Sequence, residues 1–132
     1  MSKSSQFTGL NCHTVLVSFG KLHGAVRWLK EMNTDLDMIT DERRLLYKFF
    51  ELKVSYVKVW TSETLMYYAE QKLLGKKLPS SYEDVEDDPH QMGGDFILKF
   101  NGERFEVVFE YPSQIPPDRP SPQSLVEFLN EQ

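Results

Sequence analysis

The chain has 132 residues, enough for one domain with a hydrophobic core and too few for two ordinary domains. Its 15 basic and 20 acidic residues give a net charge of −5 with no basic face, which argues against nucleic acid and acidic membrane surfaces as partners. No stretch approaches the roughly 18 apolar residues of a membrane-spanning helix, and the single cysteine excludes an internal disulfide. We therefore expect one soluble domain, residues 1–132, in the cytoplasm.

The first part of the chain predicts a parallel α/β arrangement. His13 to Phe19 is a continuous run of apolar and β-branched residues, typical of a parallel strand that is covered on both faces. Apolar residues at helical spacing then predict a helix from about Leu22 to Met32. Asp37 to Thr40 is a short extended segment. This order of strand, helix and strand favours a parallel sheet.

A second helix is predicted directly after the second strand. Asp41 is a suitable cap because its carboxylate can accept hydrogen bonds from the free N–H groups of a helix start. Glu42 would place a negative charge in the first turn, at the positive end of the helix dipole. The predicted apolar face consists of Leu45, Leu46, Phe49 and Phe50.

Residues 53–82 interrupt this order and are predicted to form a helical insertion. Val54 to Trp60 is rich in aromatic and β-branched residues. Thr61 is a typical helix start, and Gly75 can end that helix. Residues 75–88 are polar and acidic, which predicts a surface loop. The loop lacks the regular ligand alternation and the glycine position of a calcium-binding loop.

A β-hairpin is predicted after this loop. Its strands are Asp95 to Phe100 and Glu103 to Glu110, joined by Asn101-Gly102. Asn-Gly predicts a type I′ turn, in which both central residues have positive φ. The paired glycines 93 and 94 indicate that the backbone passes close to a neighbour just before the hairpin.

The C-terminal segment predicts one more helix. Five prolines between residues 112 and 122 argue against regular structure until the last of them. Ser121 is a suitable cap, and Pro122 suits the first helical position. The apolar residues of this helix are Leu125, Val126, Phe128 and Leu129.

Short segments from residue 15 onward carry a resemblance to a known family. They are Val15-Leu16-Val17-Ser18-Phe19-Gly20, Arg27-Trp28-Leu29, Asp41-Glu42-Arg43, Leu46-Tyr47, Val59-Trp60, Glu63-Thr64-Leu65, Tyr67-Tyr68-Ala69-Glu70, the block from Asp87 to Leu98, and Asp118-Arg119-Pro120-Ser121. As a collinear set they resemble the peroxiredoxin-like 2 family, which is related to alkyl hydroperoxide reductase and thiol-specific antioxidant proteins. The resemblance implies a thioredoxin-like α/β fold, a mixed sheet with a C-terminal β-hairpin and flanking helices, and a family chemistry of thiol-dependent peroxide reduction.

The resemblance also implies where the reactive cysteine would stand. In this family it lies at a helix start that precedes the strand matching Val15 to Phe19. Only 14 residues precede Val15, too few for that strand, turn and helix. We therefore expect a truncated family member that lacks the first, cysteine-bearing strand and helix and is not an active peroxidase by itself.

Cys12 is the only thiol, and its place just before a predicted strand does not match the family's nucleophile. We assign it a structural role and assign no catalytic residue. Two alternatives remain open. One is a redox sensor in which Cys12 reacts with peroxide or glutathione. The other is a non-catalytic regulatory or interaction module that binds partners through the insertion and the acidic loop.

A small set of residues is predicted to line a pocket at the family's redox site. In thioredoxin-like folds the loop before the hairpin faces the redox cysteine, so the resemblance implies pocket-lining roles for His90, Gln91, Met92, Gly93, Gly94 and Trp60. Arg119 is predicted to form a salt bridge at the start of the last helix, with an anion contact as the alternative. The three histidines lack metal-ligand spacing, so no metal or other cofactor is predicted. The expected partner is a protein or a thiol reductant, and no oligomeric state is predicted.

Overall fold

A computed structural model describes Phe7 and residues 9–55, 61–78 and 88–132. Within these residues the elements are β1 (Val15–Ser18), α1 (Leu22–Met32), β2 (Asp37–Thr40), α2 (Leu45–Phe49), α3 (Ser62–Leu73), β3 (Gly94–Phe100), β4 (Phe105–Pro112) and α4 (Pro122–Asn130). The chain divides into two compact units. The described residues of the first unit lie in 1–46 and 121–132, and those of the second in 47–80 and 88–120. The prediction of a single domain stays a prediction.

The first unit contains a β-α-β motif with the predicted boundaries of its helix and second strand. β1 and β2 pair in parallel, from Val15 opposite Asp37 to Ser18 opposite Thr40. The crossover helix α1 contacts β2 and buries its small residues Gly24 and Ala25. It ends at Asn33, whose left-handed backbone directs its N–H to the carbonyl oxygens of the last turn.

The expectation that β1 is covered on both faces is wrong. Side chains along the strand alternate, with Val15 43% and Val17 37% exposed and the two residues that follow them half-buried. In the described residues the only strand that pairs with β1 is β2. The run of β-branched residues therefore predicted the strand and its parallel partner correctly but overestimated its burial.

The start of α2 also differs from the prediction. Asp41 is the cap, because its two carboxylate oxygens accept the N–H groups of Leu45 and Leu46 at 2.8 Å each. The helix nevertheless begins at Leu45, so Glu42 lies in the preceding turn instead of the first helical turn. The cause is Arg44, whose φ of 55° is left-handed and incompatible with a continuous helix. The predicted apolar face is largely exposed at Leu45 and Phe49.

The second unit contains the predicted helix of the insertion. Thr61 caps α3 by accepting the N–H of Thr64, which is fully buried. Gly75, with a φ of 73°, follows the helix end as predicted. Residues 56–60 and 79–87, which include Trp60 and most of the predicted acidic loop, lie outside the described residues.

The β-hairpin is confirmed, but its turn is not type I′. Phe100 pairs with Phe105, so the loop has four residues, and only Gly102 in it has positive φ. The Asn101 side-chain oxygen accepts the N–H groups of Glu103 and Arg104 at 3.0 Å each. This side-chain turn holds Asn101 at negative φ, which a type I′ turn does not allow, and β4 consequently begins two residues later than predicted.

The predicted C-terminal helix forms as α4. Ser121 caps it by accepting the N–H of Ser124 at 3.1 Å, and Pro122 is the first residue of the helix. Both roles follow from the free N–H groups of a helix start and the fixed φ of proline. In the part of the chain that the structure describes, no helix is long and apolar enough to cross a membrane.

The apolar contacts of the second unit centre on the hairpin. The ring of Phe50 stacks on that of Phe96 in β3, with centroids 3.9 Å apart and planes 20° from parallel. Met92, just before β3, is 4% exposed. The stacked rings and the buried Met92 side chain help to fix the position of the residues that lead into β3, which is where the candidate site lies.

The Asp41 cap gives a testable stability difference. Replacing Asp41 by Ala removes two hydrogen bonds to helix N–H groups, and we expect the free energy of unfolding to fall by about 1–2 kcal/mol. The matched control is Glu42→Ala, which changes an exposed acidic neighbour and should cost less than about 0.5 kcal/mol. Urea unfolding at pH 7 measures both variants. Equal losses would show that Asp41 does not act as the cap.

Candidate redox site

The predicted pocket-lining segment, His90 to Gly94, is held along its backbone by residues 53–55. The N–H of Ser55 donates to the carbonyl of His90 at 2.8 Å, and the N–H of Met92 donates to the carbonyl of Lys53 at 2.9 Å. Val54 and Gln91 thus form an antiparallel bridge. The start of the predicted insertion is therefore attached directly to the segment before the hairpin.

The polar side chains of this segment hold the loop itself. His90 Nδ1 lies 3.3 Å from Asp88 Oδ1, and the same carboxylate oxygen accepts the backbone N–H of His90 at 3.0 Å. Gln91 Nε2 donates to the carbonyl of Met92 at 3.0 Å. The side chains of His90 and Gln91 thus bond within this loop, and the side chain of Met92 is buried. The pocket-lining role of the three residues stays a prediction. Trp60 lies outside the described residues.

The two glycines of the segment differ in whether a side chain would fit at their positions. A Cβ at Gly94 would lie 2.8 Å from the backbone oxygen of Tyr111 on β4, closer than real side chains approach. The predicted close passage is therefore correct at Gly94. A Cβ at Gly93 would meet only Arg119 Nη1 among the described residues, at an ordinary 3.9 Å.

Asp95, which directly follows these glycines, forms an ion pair with Arg119. Arg119 Nη2 donates to Asp95 Oδ1 at 2.6 Å, with the Asp95 side chain 24% and the Arg119 side chain 53% exposed. The salt bridge predicted for Arg119 is present, but it joins the segment after β4 to β3 instead of stabilising the start of α4. A short, charge-assisted contact of this kind is stronger than an ordinary surface pair.

A second interaction links β4 to the same segment. The hydroxyl of Tyr111 donates to Asp118 Oδ1 at 2.7 Å, and the N–H of Gln114 donates to Asp118 Oδ2 at 2.8 Å. The hydrogen bond from Gln114, followed by that from Tyr111, lowers the pKa of Asp118 below its ordinary value. The bond to Asp118 in turn raises the pKa of Tyr111, so this hydroxyl remains a donor.

The only cysteine of the sequence lies in the first unit and, among the described residues, next to a strand and not next to a helix start. Cys12 is exposed and precedes β1, and its N–H donates to the carbonyl of Leu10 at 2.8 Å. It lines a shallow depression of about 380 Å³ together with the carboxylates of Asp35 and Asp37. His13 Nε2 contacts Asp37 Oδ2 at 2.7 Å, so the imidazole next to Cys12 in the sequence pairs with that carboxylate.

The described residues contain no group of three or more histidine, cysteine or acidic side chains that could hold a metal ion. His13 and His90 each contact an aspartate, and His23 lies in the first turn of α1. Of the acidic run at residues 83–88, the structure describes only Asp88, which contacts His90.

Two pairs in this region could not be recognised in the sequence as pairs. Asp95 and Arg119 are 24 residues apart, and Tyr111 and Asp118 are separated by a proline-rich loop. The available signal was the charged Asp95 directly before the three apolar residues Phe96 to Leu98, since a charged residue beside an apolar run needs a partner when it is buried.

The Tyr111–Asp118 bond predicts a pH-dependent stability. Because the pKa of Asp118 is lowered in the folded state, its contribution is fully present above the ordinary aspartate pKa of about 3.9 and is lost as the pH falls through the lowered value. Tyr111→Phe removes one of the two bonds. We expect this variant to be less stable than the original protein at pH 7, and the difference to shrink between pH 4 and pH 2.

The matched control is Tyr67→Phe, a tyrosine on α3 that is 41% exposed. Its stability difference from the original protein should not depend on pH in this range. Urea unfolding at each pH measures the free energies. A Tyr111→Phe difference that stays constant down to pH 2 would contradict the assigned bond.

Comparison with known proteins adds one finding. Residues 1–114 match the sequence model of the family described as AhpC/TSA antioxidant enzyme. No curated protein and no solved structure matches the chain. The match covers most of the 132 residues and agrees with the mixed α/β elements and flanking helices. The chain therefore belongs to the AhpC/TSA antioxidant enzyme family, and its fold is that of a thioredoxin-like α/β domain.

Proposed function

We propose that this chain is a redox-family scaffold that has no peroxidatic site of its own, within a family whose chemistry is thiol-dependent peroxide reduction. Reduction of a peroxide needs a thiolate that attacks the O–O bond and becomes a sulfenic acid, and a second thiol then reduces that acid. Proteins stabilise such a thiolate with a helix N-terminus or neighbouring cations. The proposal depends on whether Cys12 has these surroundings.

The observation that carries the proposal is the environment of Cys12. It precedes a strand instead of a helix, it is exposed, and the charged side chains that line its depression with His13 are Asp35 and Asp37. The neighbouring imidazole is directed to Asp37 at 2.7 Å. The sequence contains one cysteine, so a sulfenic acid at this position would need a thiol from another molecule. These features support a scaffold role more than a catalytic one.

A peroxide-consumption assay tests the proposal. The original protein and Cys12→Ser are each incubated with hydrogen peroxide or an organic hydroperoxide and a dithiol reductant, beside an active peroxiredoxin as positive control. We expect both proteins to match the rate of the buffer. Turnover by the original protein that Cys12→Ser abolishes would overturn the proposal and favour a one-cysteine enzyme.

The same samples separate the sensor alternative. A sulfenic-acid trap followed by mass spectrometry reports whether Cys12 reacts without turnover. Stoichiometric trapping on the original protein, absent in Cys12→Ser, would favour a redox sensor over the scaffold.

A second candidate function is an interaction module, and one observation favours it. The helix α3 exposes large apolar side chains at Leu65 (49%), Met66 (62%) and Leu73 (87%). Exposed apolar side chains at helical spacing are typical of surfaces that bind other proteins. We propose that a protein partner binds this face of α3 within the insertion at residues 53–82.

Surface substitutions on α3 test the module. Met66→Ser and Leu73→Ser should weaken the recovery of a partner by pull-down at least tenfold, because each removes an exposed apolar contact. The control is Gln71→Ser, which changes a polar residue on the opposite side of the same helix, five positions after Met66 and two before Leu73. Equal recovery with all three variants would exclude α3 as the binding face.

A further inference from the structure

An open depression in the second unit has a lining that is partly apolar and partly acidic. It has a volume of about 490 Å³ and is lined by residues of α3 and of the segment that follows β4. Both of these segments belong to the second unit. Sites for free small molecules bury most of the ligand surface. An open depression is better suited to a single side chain that a protein partner presents.

Two residues of α3 form one wall of the depression. Glu63 lies in the first turn of the helix, and Tyr67 follows it by one turn, so their side chains are neighbours on the helix surface. The ring of Tyr67 packs against that of Tyr68, with centroids 5.6 Å apart and planes at 68°. This wall therefore offers a carboxylate beside an aromatic ring. A cation over such a ring is attracted by its π electrons, and the carboxylate adds an opposite charge.

The segment after β4 forms the other wall with Ile115, Pro117 and Asp118. Asp118 accepts hydrogen bonds from the hydroxyl of Tyr111 and the N–H of Gln114. Both donors are neutral, so they orient the carboxylate without balancing its charge, and its lowered pKa keeps it ionised at pH 7. The apolar Ile115 and Pro117 are half-buried. This wall adds a second negative charge beside an apolar surface.

Two carboxylates, an aromatic ring and an apolar surface match the parts of an arginine side chain. Its guanidinium is planar, stays charged and stacks on aromatic rings, while its methylene stem covers apolar surface. A lysine ammonium is strongly hydrated and lacks the planar group. The net charge of −5 also attracts a basic partner. We propose that this depression binds an arginine side chain of a protein partner, whose guanidinium faces Glu63, Asp118 and the ring of Tyr67.

This site gives the chemistry of the partner that we propose for α3, and it rests on that proposal. Glu63 is three positions before Met66, so the depression borders an exposed apolar side chain of the helix. A partner that carries an arginine next to an apolar residue would contact both.

Titration of short peptides into the purified protein tests the site. The probe is acetyl-Leu-Arg-Leu-amide, and acetyl-Leu-citrulline-Leu-amide is its neutral isostere. Amide signals in NMR spectra at physiological salt report Kd and also show whether each variant is folded. We expect the arginine peptide to shift the amide signals of α3 with a millimolar Kd. It should bind about two- to fivefold more tightly than the citrulline peptide, because the contact is an exposed ion pair.

Two substitutions locate the bound arginine. Glu63→Gln removes one charge and Tyr67→Leu removes the ring, and each should weaken binding of the arginine peptide about two- to fivefold. The matched control is Glu70→Gln, which removes the same charge outside the depression. Glu70 is seven positions after Glu63, about 10 Å along the helix, and charges at that distance are largely screened at physiological salt. The Kd of this variant should stay within about 1.5-fold of the original value.

Several outcomes would overturn the arginine site. They are the absence of a saturable shift, equal binding of the arginine and citrulline peptides, and equal effects of Glu63→Gln and Glu70→Gln. Tighter binding of the corresponding lysine peptide would overturn the choice of arginine.

The variant Met66→Ser separates this failure from failure of the α3 module. If Met66→Ser weakens both peptides and Glu63→Gln weakens neither, the apolar face of α3 binds and the arginine site alone is wrong. If neither variant weakens either peptide, both proposals are wrong.

Discussion

The ion pair between Arg119 and Asp95 is the interaction on which the candidate site depends. Residues 113–120 follow β4 without forming a helix or strand, and side-chain contacts help to fix their path. Arg119 connects this segment to β3, and Asp118 connects it to Tyr111 on β4. Both strands of the hairpin are therefore joined to one short segment.

The segment from His90 to Gly94 is fixed from two directions. On one side its backbone pairs with residues 53–55, and on the other Gly94 packs so closely against Tyr111 that no side chain fits. A loop held at both ends keeps one position, which suits a wall of a binding site better than a mobile surface loop does. The pocket-lining role that the family resemblance implies for this segment stays a prediction.

The sequence predicted the elements that depend on near neighbours. The cap residues Asp41, Thr61 and Ser121 act within a few residues along the chain, and the helical spacing of α1 gave its boundaries correctly. Features that depend on one unusual backbone angle were missed. The left-handed Arg44 delays α2, which no propensity of arginine indicates.

Long-range pairs and competing local bonds account for the other misses. The partner of Asp95 is 24 residues away and could not be inferred from spacing. At the hairpin, Asn-Gly correctly marked the turn, yet Asn101 uses its side chain for hydrogen bonds that favour a longer loop. The fold elements of this chain are specified by caps, a hairpin and a parallel β-α-β motif, none of which involves Cys12. Because the scaffold does not depend on the thiol, the family fold can persist where the thiol chemistry differs, and activity must be argued from the surroundings of Cys12 itself.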